Sequence, residues 1–266
     1  MVQAILDELE GIVRPEDITI QIATGTHRAN TYDEIRWMLG DEIASTCRVV
    51  NHVARNESSL ADLGMIGNGV PVKLNREWIG ADLRITTGFV EPHFFAGFSG
   101  GPKMVAPGLA GIDTVVTLHD AARIGHPKAT WGVIEGNPVH DDVRAIARAA
   151  PPHFSMDVVL NSDQQVTGVY AGEIFAMHAA ACVQARLDSM QHIDRPFDLV
   201  ITSNSGYPLD QNLYQAVKGM SAAVRVVKPG GLIVCAAECR DGIPDHGSYP
   251  EILSSRPNPT SLLKMI

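Results

Sequence analysis

Apolar and polar positions along this chain fall into blocks that switch between a period of two and a helical period. Residues 18–22 (ITIQI) make a short apolar run after Pro15-Glu16-Asp17 and predict a strand. The run leads into ATGTHRAN, a polar loop containing glycine. Thr31 then opens a helical spacing through Ile35, Trp37 and Met38, with Glu34 placed as in a capping box. Residues 47–53, 70–74 and 83–87 predict further strands. One helix is expected over 113–124, with His119 inside it, and another over 139–150. Strands over 156–160 and 165–170 flank Asn161-Ser162-Asp163, and an alanine-rich helix follows over 174–189.

The pattern changes near residue 192. Beyond it come a strand (199–203), the loop SGYPLDQN, a helix (213–227), Gly230-Gly231 and a strand (232–236). Strand–helix–strand order is the signature of a parallel α/β sheet. The expected architecture is therefore α/β in two domains. The expected domains are residues 1–190, an N-terminal α/β domain, and residues 191–266, a partial, Rossmann-like C-terminal domain. Residues 88–108, GFVEPHFFAGFSGGPKMVAPG, carry five glycines and three prolines and cannot form one regular element. A long loop inside a compact domain is commonly functional.

Composition narrows the function class. With 45% hydrophobic residues the chain can build a core, and a net charge of −9 argues against a general nucleic-acid binder. No apolar run is long enough to span a membrane, and MVQAILDELEGIV lacks the basic start of a signal peptide, so the expectation is a cytoplasmic protein. Cys235 and Cys239 fall in LIVCAAEC, which reads as a buried strand holding two thiols rather than a zinc or disulfide site.

Several side chains sit where chemistry is usually placed. His27 follows a strand directly, and the carboxyl ends of strands carry function in α/β proteins. His93 and Lys103 lie in the glycine-rich segment, and a lysine after Ser-Gly-Gly-Pro suits a place where backbone N–H groups converge on an anion. FSGGPK is not a Walker loop, so ATP is not indicated. His119 is compatible with a satisfied helical histidine and with a metal ligand whose second nitrogen is held by Asp120 or a carbonyl. Gln215 and Lys218 share a helix face, beside Tyr214. Read singly, each of these is equally an ordinary loop or surface residue. Together they suit a chemistry with two proton-transfer groups, a soft metal ligand and an anion clamp.

Five segments carry a family resemblance: IATGTHR (22–28), EPHFFAGFSGGPKMVAPG (91–108), TVVTLHDAARIGHP (114–127), EGNPVHDD (135–142) and GYPLDQNLYQAVKG (206–219). In these the chain resembles the lactate racemases and related 2-hydroxyacid racemases that use a nickel-pincer nucleotide. The resemblance implies that Lys103 bonds covalently to that cofactor, near Gly100 and Gly101, and that His119 ligates nickel. It implies that His27 and His93 are the acid–base pair, and that Tyr214, Gln215 and Lys218 line the substrate site. The substrate would be a small 2-hydroxy acid, most simply lactate, with malate, phenyllactate or a sugar acid as alternatives. The implied partners are cofactor-biosynthesis proteins, with no nucleic acid and no membrane.

The resemblance also implies a longer chain at both ends. The family pattern has an upstream stretch that supplies an aspartate and an arginine, and a C-terminal part that closes the second domain. The 266 residues alone are thus expected to be poorly active. The competing readings are a non-catalytic cofactor-binding remnant and, less well supported without an HExxH motif, a zinc hydrolase.

Overall fold

The computed structural model describes residues 1–243 and 248–265. The chain divides into two compact units, Met1–Met190 and Gln191–Ile266.

The first unit begins with α1 (Val2–Leu9), β1 (Thr19–Ile22), α2 (Tyr32–Leu39), α3 (Asp41–Thr46) and β2 (Arg48–Asn51). β1 and β2 pair in parallel, from Thr19 opposite Arg48 to Ile22 opposite Asn51. The helices between them make the crossover that parallel pairing requires. α2 starts with the expected capping box: Thr31 accepts from Glu34 N–H, and the Glu34 carboxylate accepts from Thr31 N–H.

Next come β3 (Leu60–Ile66), β4 (Val70–Asn75), α4 (Arg76–Gly80) and β5 (Ile85–Phe89). β3 and β4 form an antiparallel hairpin with a register shift between Asp62 and Met65. β3 was not among the expected strands; its apolar alternation is weak because only Leu60 of its residues is buried. β4 by contrast presents Val70, Val72 and Leu74 to the core with no exposed surface.

The segment after β5 contains a minimal hairpin, β6 (Pro92–His93) with β7 (Gly97–Phe98), and then a single 3₁₀ turn over Gly101–Met104. α5 (Ile112–Leu118), α6 (Ala121–Ile124) and α7 (Pro138–Ala149) follow. The single helix expected over 113–124 is in fact two. Asp120 adopts an extended backbone and caps α6 through its side chain on Arg123 N–H, which takes His119 out of the helix interior and makes it the C-cap of α5.

The unit closes with β8 (Phe154–Leu160), β9 (Val166–Gly172) and α8 (Ile174–Ser189). β8 pairs in parallel with β5 and antiparallel with β9. α8 buries Ile174, Met177, His178, Ala181, Cys182 and Ala185, a stripe at helical spacing, and packs on β8 and β9.

The second unit contains β10 (Phe197–Ser203), α9 (Leu213–Val224), β11 (Val227–Ala236), α10 (Tyr249–Ser254) and α11 (Pro259–Leu263). β10 and β11 pair in parallel around α9. Gly219 lets α9 approach β10, since a Cβ there would lie 2.4 Å from the Ser203 carbonyl oxygen. α9 ends at Val224, short of the expected 227, because Val227 already pairs with Phe197. Lys228–Gly231 bulge out opposite Asp198, which hides the start of this strand from a pattern reading. The expected burial of Cys235 and Cys239 is also corrected: both are partly exposed, and Cys239 lies past the end of β11.

Candidate active site

Three chain segments of the first unit meet through backbone ties. The turn after β1 is anchored where Thr24 Oγ1 donates to the His52 carbonyl. His52 is itself buried, with Nε2 2.9 Å from the Ala110 carbonyl oxygen and Nδ1 3.2 Å from Asn75 Nδ2. Gly25 N–H donates to the Gly108 carbonyl at 2.9 Å, which fastens the turn bearing His27 to the end of the segment bearing His93 and Lys103. The His27 N–H closes that turn on the Thr24 carbonyl at 3.0 Å. The neighbouring Arg28 forks onto the Glu34 carboxylate, with both N–H···O distances at 2.8 Å.

His93 sits on the small hairpin among aromatic rings, 4.9 Å from Phe94 and 4.6 Å from Phe95 between centroids. Its Nδ1 accepts from Ala96 N–H at 3.2 Å, so proton exchange falls to Nε2. Phe95 also stands edge-on to His119 at 5.1 Å, and so links the two histidines. Asn137, fully buried at the start of α7, donates to the Phe95 carbonyl at 2.8 Å and holds that ring's backbone in place.

His119 Nδ1 lies 2.7 Å from the Val115 carbonyl oxygen and donates to it. Of the two holders considered for this ring, the structure selects the carbonyl. Asp120 is committed to Arg123, which also meets the buried Asp142 at 2.8 Å. Burial, and then the charge of Lys103, push the His119 pKa down, so the ring is neutral at neutral pH with its lone pair on Nε2. That is the state in which imidazole binds a metal.

Lys103 lies in the 3₁₀ turn. Its N–H donates to the Gly100 carbonyl at 3.1 Å, and its own carbonyl accepts from Gly108 N–H at 3.1 Å. Its charge lowers the pKa of His119, His140 and His178 alike, which places all three rings within its electrostatic reach. Gly100 and Gly101 have φ of +68° and +48°. A Cβ on the first would meet Asp157 Oδ2 at 2.7 Å, and on the second the His178 ring at 2.5 Å. The Gly101 N–H donates inward, to Asp157 Oδ2 at 2.6 Å.

Asp157, His140 and His178 were not singled out from sequence. Asp157 has no exposed surface, and its Oδ1 has no hydrogen-bond partner among the described residues. Burial raises its pKa. His178 Nε2 donates to the Ser99 carbonyl at 2.8 Å, and the ring stacks on His140 at 6.0 Å. Burial brings both rings down to about 4. A carboxylate inside a strand and a histidine on an alanine-rich helix give no local signal. The pairing of β8 with β5 brings the first under the glycine turn, and the packing of α8 on β8 and on that turn brings the second.

In the second unit, Tyr214, Gln215 and Lys218 lie on the first turns of α9, capped by Asn212, whose side chain accepts from Gln215 N–H at 3.0 Å. Gln215 is buried. Tyr214 packs edge-on to Tyr249 at 5.9 Å, and burial raises its phenol pKa.

The described residues contain no cluster of three or more histidine, cysteine, aspartate or glutamate side chains able to hold a metal by themselves. None of the described helices is long and apolar enough to cross a membrane.

Comparison with known proteins gives this arrangement a context. Residues 1–132 match the lactate racemase N-terminal domain and residues 193–266 the lactate racemase C-terminal domain. The chain is 38% identical over 245 residues to the lactate racemase of Thermoanaerobacterium thermosaccharolyticum, covering 92% of this chain and 57% of that protein. It is 40% identical over 246 residues to the lactate racemase of Lactiplantibacillus plantarum, covering 92% and 58%. The chain thus spans little more than half the length of these curated relatives. The structure of the T. thermosaccharolyticum lactate racemase apoprotein superimposes with a TM-score of 0.91 at 36% identity, covering all of this chain and 63% of that one. A Thermotoga maritima protein shares the fold at a TM-score of 0.64 and 24% identity, over 76% of this chain and 54% of its own. With two family domains matched in order and such identity across nearly its whole length, the chain belongs to the lactate racemase family.

Proposed function

We propose that this chain carries the cofactor and acid–base machinery of a lactate racemase that uses a covalently held nickel-pincer nucleotide. The observation that carries this reading is His119: a neutral ring with Nδ1 fixed on a carbonyl, linked through Phe95 to His93 and within the field of Lys103. The donor set fits the group. A group that brings other metal donors with it would need only one ligand from the chain, and the neutral His119 imidazole would supply it without a protein cluster. Lys103 would form the tether and His119 would bind the metal.

When bound, the group supplies an acceptor for the hydride from C2 of the substrate. The chain supplies the proton chemistry. Imidazoles titrate near neutrality, so one of His27 and His93 takes the proton from the 2-hydroxyl of one enantiomer, and the other serves the mirror image from the opposite side. Lys218 provides a cation for the substrate carboxylate, with Tyr214 and Gln215 beside it. Lactate is favoured as substrate because both curated relatives act on it by name. Cofactor-synthesis proteins are the implied partners, and a cytoplasmic setting accords with that supply.

The test is intact mass and nickel content after co-expression with cofactor-synthesis proteins. The expected result is an adduct with about one nickel per chain, lost in Lys103→Ala and depleted of metal in His119→Ala. An unmodified, nickel-free chain that is nonetheless folded would overturn the cofactor assignment.

A further inference from the structure

His93 and Lys103 sit at the two ends of one short limb of chain that has little regular structure of its own. β7 is two residues long, and a single 3₁₀ turn follows it. Backbone carbonyls along the limb are met from outside. The Phe95 carbonyl accepts from Asn137 Nδ2 at 2.8 Å, and the Gly97 carbonyl from Gly132 N–H at 2.9 Å. The Ala96 carbonyl faces the ring of His140. The Ser99 carbonyl accepts from His178 Nε2 at 2.8 Å. Of these holders His178 reaches closest to Lys103 along the chain, because its ring also fills the space that a Cβ on Gly101 would need.

His178 is itself held in one state. It is buried on α8, which packs on both the small hairpin and the Lys103 turn. A carbonyl can only accept, so Nε2 carries the proton and Nδ1 is left as an acceptor. The Cys182 sulfur, one turn along α8, lies 3.8 Å from Nδ1, where its S–H donates. Burial keeps that thiol protonated, with its pKa raised to about 12. The ring stacks on His140 with 22° between the planes. A phenylalanine here would fill the volume and leave the Ser99 carbonyl without this donor. A lysine or arginine would bring a second cation close to Lys103. The neutral imidazole donates without adding charge.

We infer that His178, with His140 stacked on it, is a positioning residue that grips the limb at Ser99 and so fixes the span between the His93 ring and the Lys103 amine. Ala96 carries the effect to the far end, since its N–H donates to His93 Nδ1 while its carbonyl faces His140. At the near end the grip meets Gly100 and Gly101, which lead directly into Lys103. The role rests on the cofactor reading above, in which both side chains serve one bound group. The grip itself is a property of the fold, and it can be measured without cofactor.

The test compares the 266-residue chain with His178→Phe, which keeps a ring and loses the donor, and with His178→Gln, whose amide takes the place of Nε2. Nitrogen-15 NMR of the His93 imidazole reads one end of the limb, and hydrogen exchange at the Lys103 N–H reads the other. In folded His178→Phe, the His93 Nδ1 signal leaves its acceptor position, and Lys103 N–H exchange rises roughly ten-fold, the scale of one lost hydrogen bond. His178→Gln restores both. Melting temperature is followed alongside, because a purely structural role would lower it and leave the His93 signal in place. If His178→Phe does not fold, His178→Asn replaces it, since the shorter amide stops short of Ser99. After co-expression with cofactor-synthesis proteins, the fraction of chain carrying the Lys103 adduct falls roughly ten-fold in the variant without the donor and is kept in His178→Gln. Unchanged His93 and Lys103 signals in that folded variant overturn the grip, as does a glutamine that restores neither. Equal loading of the unaltered chain and the variant overturns the positioning role. An unaltered chain that takes up no cofactor overturns the cofactor reading instead, and the two cofactor-free readouts still decide the grip.

Discussion

β4 and β10 are both apolar strands, yet they live in different surroundings. In β4, Val70, Val72 and Leu74 are entirely buried against Val105, Ala110 and Ile146. In β10, Leu199 is 49% and Ile201 74% exposed, and their partners in β11, Leu232 and Val234, are 61% and 45% exposed. One face of the β10–β11 pair packs on α9; the other presents an apolar surface. Parallel strands are ordinarily apolar on both faces because both are covered. An apolar pattern thus tells which faces are suited to burial, and a separate element decides whether burial happens.

The comparison makes its strongest prediction in truncation. Leu74→Ala is expected to cost roughly 2–5 kcal/mol of stability, while Ile201→Ala changes it by no more than about 0.5 kcal/mol. Denaturant melts of the two variants check this, and equal losses would show that the second unit's open face is covered in solution. Next in size is Gly101→Ala. Its Cβ would meet His178 at 2.5 Å and the residue keeps φ at +48°, so destabilisation of roughly 2 kcal/mol or more is expected, again by denaturant melt.

A different effect separates the units by pH. His140 and His178 fall from 6.5 to about 4 in the folded chain, chiefly through burial. Arg144 and Lys103 disfavour a further charge on both, and His178 faces Cys182 and the Ser99 carbonyl. Between those pH values the unfolded chain binds protons that the folded chain does not, so stability declines as pH falls from 6.5 toward 4. Melting temperature against pH should show this in the first unit, and His178→Asn should remove about half of the slope. Smallest is a difference in thiol labelling. Cys182 is buried and raised to about 12, so it resists alkylation in the native state, while Cys47, Cys235 and Cys239 react.

The sequence was most legible where signals are local. The capping box at Thr31, the α8 stripe and the strand–helix–strand unit around α9 all follow from spacing within one element. Legibility failed where the decisive partner is distant. His119 leaves its helix because the Asp120 side chain competes for the backbone. β11 starts early because a bulge absorbs Lys228–Gly231. Asp157 joins the glycine turn only through strand pairing 56 residues away from Gly101. Histidines and lysines in unusual loops could be nominated from sequence, but the groups that hold those loops could not.

The turn that carries Lys103 is tied at Gly101 to Asp157, at Lys103 N–H to Gly100, and at the Lys103 carbonyl to Gly108. Its backbone cannot swing outward to collect anything. Whatever reacts with this lysine must travel to it, arriving within the length of four methylene groups and in the orientation that the turn dictates. Under the proposed tether, a fixed post of this kind would turn attachment into a delivery problem, in which the visiting molecule does the moving.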